Sequence, residues 1–288
     1  MKLSLVLACL LAGGTGSAAE LVELSRIRVA DGGDFGGMSA LEVSDDGESY
    51  VAVSDRGMFA EGRLLRRNGR LSGASVERLQ HLRSNVGGYV KGFKIDSEGL
   101  AIDRDGNVYI SFEGFHRVWL YKDIGGEPAW THKWDYYWHL QGNSGMESLA
   151  VDADGTVYAI PERSGKWTRP FPVFRYRRGK WIKSLSIPRS GKFLPAGADF
   201  GPDGKLYLVE RDFTWVGGFS TRVRRFSLGP DGFDGGETLL VSAPGDYDNL
   251  EGISAWRDGD GAIRLTAISD DNFNPLQDTV IVEFRVVE

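Results

Sequence analysis

Apolar residues come in short runs along this chain, often alternating with polar ones. Asp-Gly and similar turn signals separate the runs, and no stretch keeps the 3.6-residue apolar period of an amphipathic helix. Five segments share one layout: GGMSALEVSDDGESYVAVSDRG (36–57), DSEGLAIDRDGNVYISFEGF (96–115), GMESLAVDADGTVYAIPERSG (145–165), AGADFGPDGKLYLVERDF (196–213) and DNLEGISAWRDGDGAIRLTAISDDNF (248–273). Each reads as a short apolar strand, a turn, and a second strand rich in β-branched and aromatic residues, which is the signature of a β-hairpin. The turn glycines align as Gly47, Gly106, Gly155, Gly204 and Gly259. Two weaker strand patterns follow each hairpin, for example HRVWLYK (116–122) with AWTHKWD (129–135), and FPVFRYR (171–177) with WIKSLSI (181–187).

Four strands per repeat, at this repeat length, predict an all-β fold: a single β-propeller, with a β-sandwich as the competing architecture. The fifth copy ends after three strands, the last being TVIVEFRVV (279–287). The alternating segment LVELSRIRV (21–29) precedes the first copy and is expected to complete the last blade, closing the ring and leaving no open edge. Five blades are expected, and a sixth stays open if residues 81–95 or 130–144 contain strands.

Propeller geometry turns the repeat into a functional expectation. The inner strand of each blade lines the central channel and the second strand runs back beside it, so the start of one and the end of the other meet at one mouth. Eight residues before each turn glycine stand Ser39, Glu98, Glu147, Ala196 and Glu251. Just after the second strands stand Asp55, Glu113, Glu162, Glu210 and the pair Asp270-Asp271, with Asp199 as a further acid in the copy that lacks the glutamate. Such a set makes a hard-oxygen site suited to calcium or another hard divalent cation. The expected metal ligands are Asp55, Glu98, Glu147, Glu251, Asp270 and Asp271. Glu210 is the candidate general base, and Arg56 or Arg211, each following a second-strand acid, the candidate anion binder. The bland alternative is that Glu–Arg pairs lock the blades together. The DxDG stretches 103–106 and 152–155 lack the distal ligand spacing of an EF-hand and read as turns.

Composition narrows the rest. Residues 1–19 carry one cation, Lys2, then an apolar run and Ser17-Ala18-Ala19, the layout of a cleavable signal peptide, so residues 20–288 are expected to form the mature domain in the periplasm or outside the cell. Acylation of Cys9 is the alternative reading of that leader. Cys9 is the one cysteine, so neither disulfides nor thiolate metal sites are expected. No run approaches the length of a membrane span. The net charge of −6 argues against nucleic acid as the main partner, and the basic run RYRRGKW (175–181) reads as a solvated strand face. A monomer acting on a small-molecule ester or phosphate ester is expected.

The ordered set GGMSALE with SDRG, DSEGLAI, NSGMESLAV, GADF with LVERDF, and NLEGISA with ISDDNF resembles the phytase-like family described as "esterase-like activity of phytase", a group of exported bacterial propellers. The resemblance implies a carboxylate-rich channel mouth that holds calcium, binds a phosphate ester and activates water. No G-x-S-x-G elbow occurs, and His81, His116, His132 and His139 fall outside the inner hairpins, so a Ser-His-Asp triad has no support. The aromatics around His132 and His139 read as an outer strand and its following loop, or as a lid or sugar-stacking surface. Two functions therefore stay open: a metal-dependent hydrolase of phosphoric or carboxylic esters, and a non-catalytic exported propeller that binds a ligand or protein.

Overall fold

The computed structural model describes residues 18–29, 35–131, 145–274 and 276–288. The signal-peptide expectation, His132 and His139 lie outside this set. Strand β1 (Glu20–Arg28) comes first. Blade one comprises β2 (Met38–Val43), β3 (Ser49–Ser54), β4 (Met58–Arg67) and β5 (Arg70–His81); blade two comprises β6 (Ser97–Ile102), β7 (Val108–Phe112), β8 (Arg117–Tyr121) and β9 (Ala129–Trp130). Blade three follows with β10 (Ser148–Val151), β11 (Val157–Ile160), β12 (Phe171–Arg177) and β13 (Lys180–Ile187). Blade four pairs β14 (Leu194–Phe200), β15 (Leu206–Thr214) and β16 (Gly218–Phe226) with β19 (Glu237–Val241), after a small hairpin of β17 (Leu228–Gly229) and β18 (Gly232–Phe233). Blade five holds β20 (Asn249–Arg257), β21 (Ile263–Asp270) and β22 (Val280–Val287), and β1 pairs antiparallel with β22 from Glu20↔Val287 to Arg28↔Val280.

The protein is thus an all-β, five-bladed propeller closed by its N-terminal strand, with no sixth blade among the described residues. Within 81–95 there is only a 3-10 turn at Gly92–Lys94 and an isolated Arg83–Tyr89 bridge. The core lies between blades. Each of five apolar clusters joins one neighbouring pair, from Val53 and Phe59 of blade one against Ile110 and Trp119 of blade two, round to Ile268 and Ile281 of blade five against Leu41 and Ala52 of blade one. Both faces of every blade are therefore covered. An open ring would expose two of them, at about 1.5–3 kcal/mol for each large apolar side chain returned to water.

The hairpin turns form for local reasons. Asp103 and Asp152 each accept two backbone N–H bonds across their turns, at 2.9–3.0 Å, which identifies both as Asx turns. The fifth turn differs from the sequence alignment. Its left-handed glycine is Gly261 (φ 83°), which donates to the Asp258 carbonyl at 2.9 Å, as Gly106 does to Asp103. Gly259 is not the turn glycine, and β20 carries two more residues between Glu251 and its turn than β6 carries after Glu98.

Candidate functional site

The inner strands aim their side chains at the channel through a shared irregularity. The ladder slips by a bulge between Met38 and Ala40, Ser97 and Leu100, Pro195 and Gly197, and Leu250 and Gly252. A bulged residue leaves the ladder and its side chain is re-aimed. The residues at the slips are Ser39, Glu98, Ala196 and Glu251, all at the repeat position that the sequence singled out. The glycines that follow three of them, Gly99, Gly197 and Gly252, are required by close approach. A Cβ on Gly99 would lie 2.8 Å from the Leu149 amide of the next blade, and one on Gly197 would lie 2.0 Å from the Glu251 carbonyl.

These strands surround a chamber of about 310 Å³. Of the sequence-predicted ligands, Asp55, Glu98, Glu147, Glu251 and Asp270 line it, together with Asp96, Glu113 and Glu162. Against eight carboxylates stand two arginines, Arg163 and Arg211. The charge is unevenly distributed. On one side, Arg211 pairs with Glu251, lies 3.7 Å from Glu162 and donates to Asn249 Oδ1 at 3.1 Å, while Arg163 Nε donates to Glu162 at 3.0 Å. Asn249 Nδ2 donates to Glu251 at 2.7 Å. On the other side, Asp96, Glu98 and Glu113 each offer an oxygen within 4.8 Å of the others, and no arginine among the described residues pairs with them.

The electrostatics follow from that surplus. Burial, reinforced by Glu147, Asp96 and Glu113, pushes the Glu98 carboxyl well above the usual range. Burial raises Glu147 to about 8 despite the opposing pull of Arg211. Asp55 is raised to about 6 by burial and by Asp270 and Asp96, and Glu113 and Asp270 are raised chiefly by burial. The acids can shed this strain by taking up protons or by binding a cation.

Four sequence-predicted acids or arginines sit elsewhere. Glu210 is fully buried away from the chamber, accepting from Arg222 Nε at 2.7 Å and from Arg224 at 2.6 and 2.7 Å, so it is not a spare base. Counted from the turn glycine, it is Arg211, not Glu210, that matches Glu113 and Glu162; adjacent strand residues face opposite sides, so Arg211 reaches the chamber and Glu210 the blade interior. Asp271 ties blade five to the segment before β2, accepting from Gly37 N at 2.8 Å, Phe273 N at 3.0 Å and the Thr279 hydroxyl at 3.0 Å. Arg56 stacks on the Phe273 ring rather than lining the chamber. Asp199 lies toward the turn end of its strand, accepting from Ala255 N at 2.7 Å, and not at the mouth.

Asp96 is an acid that sequence reasoning left out, whereas Arg163 follows its second-strand acid Glu162 just as Arg211 follows Glu210 and was legible as a compensating charge. Asp96 stands two residues before Glu98 in an extended segment, and its carbonyl accepts from Glu113 N at 2.8 Å, which fixes both at the mouth. That i, i+2 relation was a usable signal. The DxDG stretches are turns, and the Arg175–Trp181 run forms the half-exposed end of the β12–β13 hairpin.

No curated protein matches the chain. Among solved structures it is similar to a PQQ-bound aldose sugar dehydrogenase from Streptomyces coelicolor, with 13% identity over 94% of this chain and 99% of that one and a TM-score of 0.55. It is also similar to an α-L-arabinofuranosidase from Podospora anserina in complex with cellotriose, with 12% identity over 94% and 98% of the two chains and a TM-score of 0.51. At such identities the likeness is one of fold. A family model matches residues 33–273, most of the chain and every chamber residue, and on that ground the protein belongs to the Phytase-like family, "Esterase-like activity of phytase".

Proposed function

We propose that this protein is an exported ester hydrolase, acting on phosphoric or carboxylic esters, whose chamber works with a bound hard divalent cation, calcium by preference. One observation carries the reading: among the described residues, eight carboxylates share a chamber with two arginines, and the Asp96–Glu98–Glu113 group forms no ion pair. The donor set fits the ion. All three groups are carboxylates, and their oxygens lie within 4.8 Å of one another, close enough for one calcium with bonds of roughly 2.4 Å to be shared among them. When bound, such a cation supplies charge neutralisation and Lewis acidity toward a phosphoryl or acyl oxygen.

The chain's own residues supply the rest. Asp96, Glu98 and Glu113 hold the ion, with Glu147 beside them. Arg211 is fixed by Glu251 and Asn249 and holds that wall of the chamber in place, while the half-exposed Arg163, anchored to Glu162 through its Nε, meets an anionic group of the substrate. Asp55, raised to about 6, takes the base role that the sequence had given to Glu210, because a carboxylate titrating near neutrality can accept and return a proton. The unpaired acids favour this reading over a non-catalytic propeller, in which the same acids would be expected to be fully paired. The leader-like residues 1–19, with β1 starting at Glu20, support export.

The test is calorimetric titration with calcium of the wild type and of Glu98→Gln, alongside a screen of phosphomonoesters, phosphodiesters, lactones and short acyl esters with and without chelator. Calcium should bind the wild type, and the variant should bind about 10- to 100-fold more weakly, with hydrolysis lost in chelator. No binding by the wild type at millimolar calcium sinks the metal reading.

A further inference from the structure

Beside the acidic chamber lies a second, oppositely charged pocket of about 150 Å³, formed by the β11–β12 loop and the segment before β14. Arg163 lines both. The loop is held in shape by Ser164, whose hydroxyl is placed to donate to the carbonyls of Lys166 and Arg169, at 2.9 and 2.8 Å. It presents Lys166 and the largely exposed Trp167 at the rim. Arg189 also lines the pocket, its guanidinium 4.6 Å from the Trp167 ring centre and 4.8 Å from that of Phe171.

Arg189 lacks what a guanidinium in such a place normally has. Its Nε and Nη2 are shut from solvent without a hydrogen-bond partner. The carboxylate that acts on it, Glu210, is already engaged by Arg222 and Arg224, and Arg163 and Arg222 add like charge. Burial and these neighbours hold the Arg189 pKa below its ordinary value, so the cation is incompletely compensated. Stacking between aromatic rings supplies part of the missing stabilisation, and an anion in the pocket beside the guanidinium would add opposite charge.

We propose that this pocket is an anion subsite, built from Arg163, Lys166 and Arg189 with Trp167 as its wall, that takes a second phosphate or carboxylate group of the substrate. As a substrate subsite it rests on the hydrolase reading above: a substrate with its ester in the chamber would extend past Arg163 and place its second anionic group here. The preferred substrates are then esters with at least two anionic groups, and neutral esters are poor ones. Anion binding itself requires no metal.

The full-length protein, held in chelator, should be titrated calorimetrically with inorganic phosphate and, separately, with acetate. Saturable binding of one or both at millimolar concentration is expected, and the anion that binds more tightly names the group. Arg189→Gln should weaken that binding about 10-fold, as the loss of one charge-assisted contact does. Lys166→Gln, at an exposed position that cannot endanger folding, should weaken it about 3-fold. Absence of binding by the wild type, or wild-type affinity in both variants, overturns the subsite. Phosphate binding that needs calcium also overturns it while leaving the metal reading intact, and phosphate binding in a protein that never binds calcium overturns the metal reading alone.

Discussion

Glu210 and Glu98 are both buried carboxylates on neighbouring-type strands of one ring, yet they occupy opposite electrostatic situations. Glu210 has two arginines to itself, Arg222 and Arg224, at 2.6–2.7 Å. Glu98 faces Glu147, Asp96 and Glu113, with Arg211 as a weaker, opposing influence. The first is an ion cluster in which the carboxylate is answered twice over, which a protein uses to fix a blade. The second is a surplus that folding has left unanswered, and such a surplus persists where a ligand completes it. A buried acid is therefore assigned to structure or to chemistry by its partners, not by its residue type or its degree of burial.

The largest effect should come from breaking the closed cluster. Glu210→Gln leaves two buried guanidiniums with no counter-charge, and should cost about 3–5 kcal/mol of unfolding free energy in denaturant titration. If it folds, calcium stoichiometry should be unchanged, because Glu210 does not line the chamber. A variant as stable as the wild type would mean that the cluster is not what holds blade four.

A smaller effect sharpens the other side of the comparison. In chelator, the raised carboxyls bind protons more tightly in the folded state than in the unfolded chain, so stability falls as pH rises through the window between the two values. For Asp55 that window runs from 3.8 to about 6, and for Glu147 from 4.5 to about 8. Unfolding free energy should therefore decline from about pH 4 to pH 8, calcium should flatten the decline, and Glu147→Gln should reduce its slope. A stability that rises over this range would contradict a charge surplus in the chamber.

The smallest effect is the control. Arg63 and Glu48 pair at 3.1 Å, but both are about half exposed. Arg63→Ala should cost less than about 1 kcal/mol, and a larger loss would show that pairing alone, rather than pairing in burial, carries the cost of the Glu210 variant.

Much of this was legible before any coordinates. Hairpins declare themselves locally, through Asp-Gly turns and alternating strands, and the missing fifth-blade strand was visible as an unpartnered alternating segment at the start of the chain. The repeat also named the glutamates that line the channel, because one repeat position means one place in a blade. It was less reliable wherever one residue of register matters. Aligning the acids after the second strands hid the match of Arg211 to Glu113 and Glu162, and with it the reversal that sends Glu210 into the blade. The fifth turn was misplaced by two residues for the same reason.

The sequence by itself therefore determined the strand repeat, the closure of the ring and the end of the channel at which the acids gather, since each depends on periodicity and on contacts within a repeat. Only the tertiary structure decided which acids are answered by arginines, which bulge turns a glutamate to the axis, and that Arg189 lies between Trp167 and Phe171 without an acceptor. Those facts depend on partners distant in sequence, such as Arg211 with Glu251 or Gly99 against Leu149, and charge compensation in a buried site is a sum over neighbours that no single repeat contains.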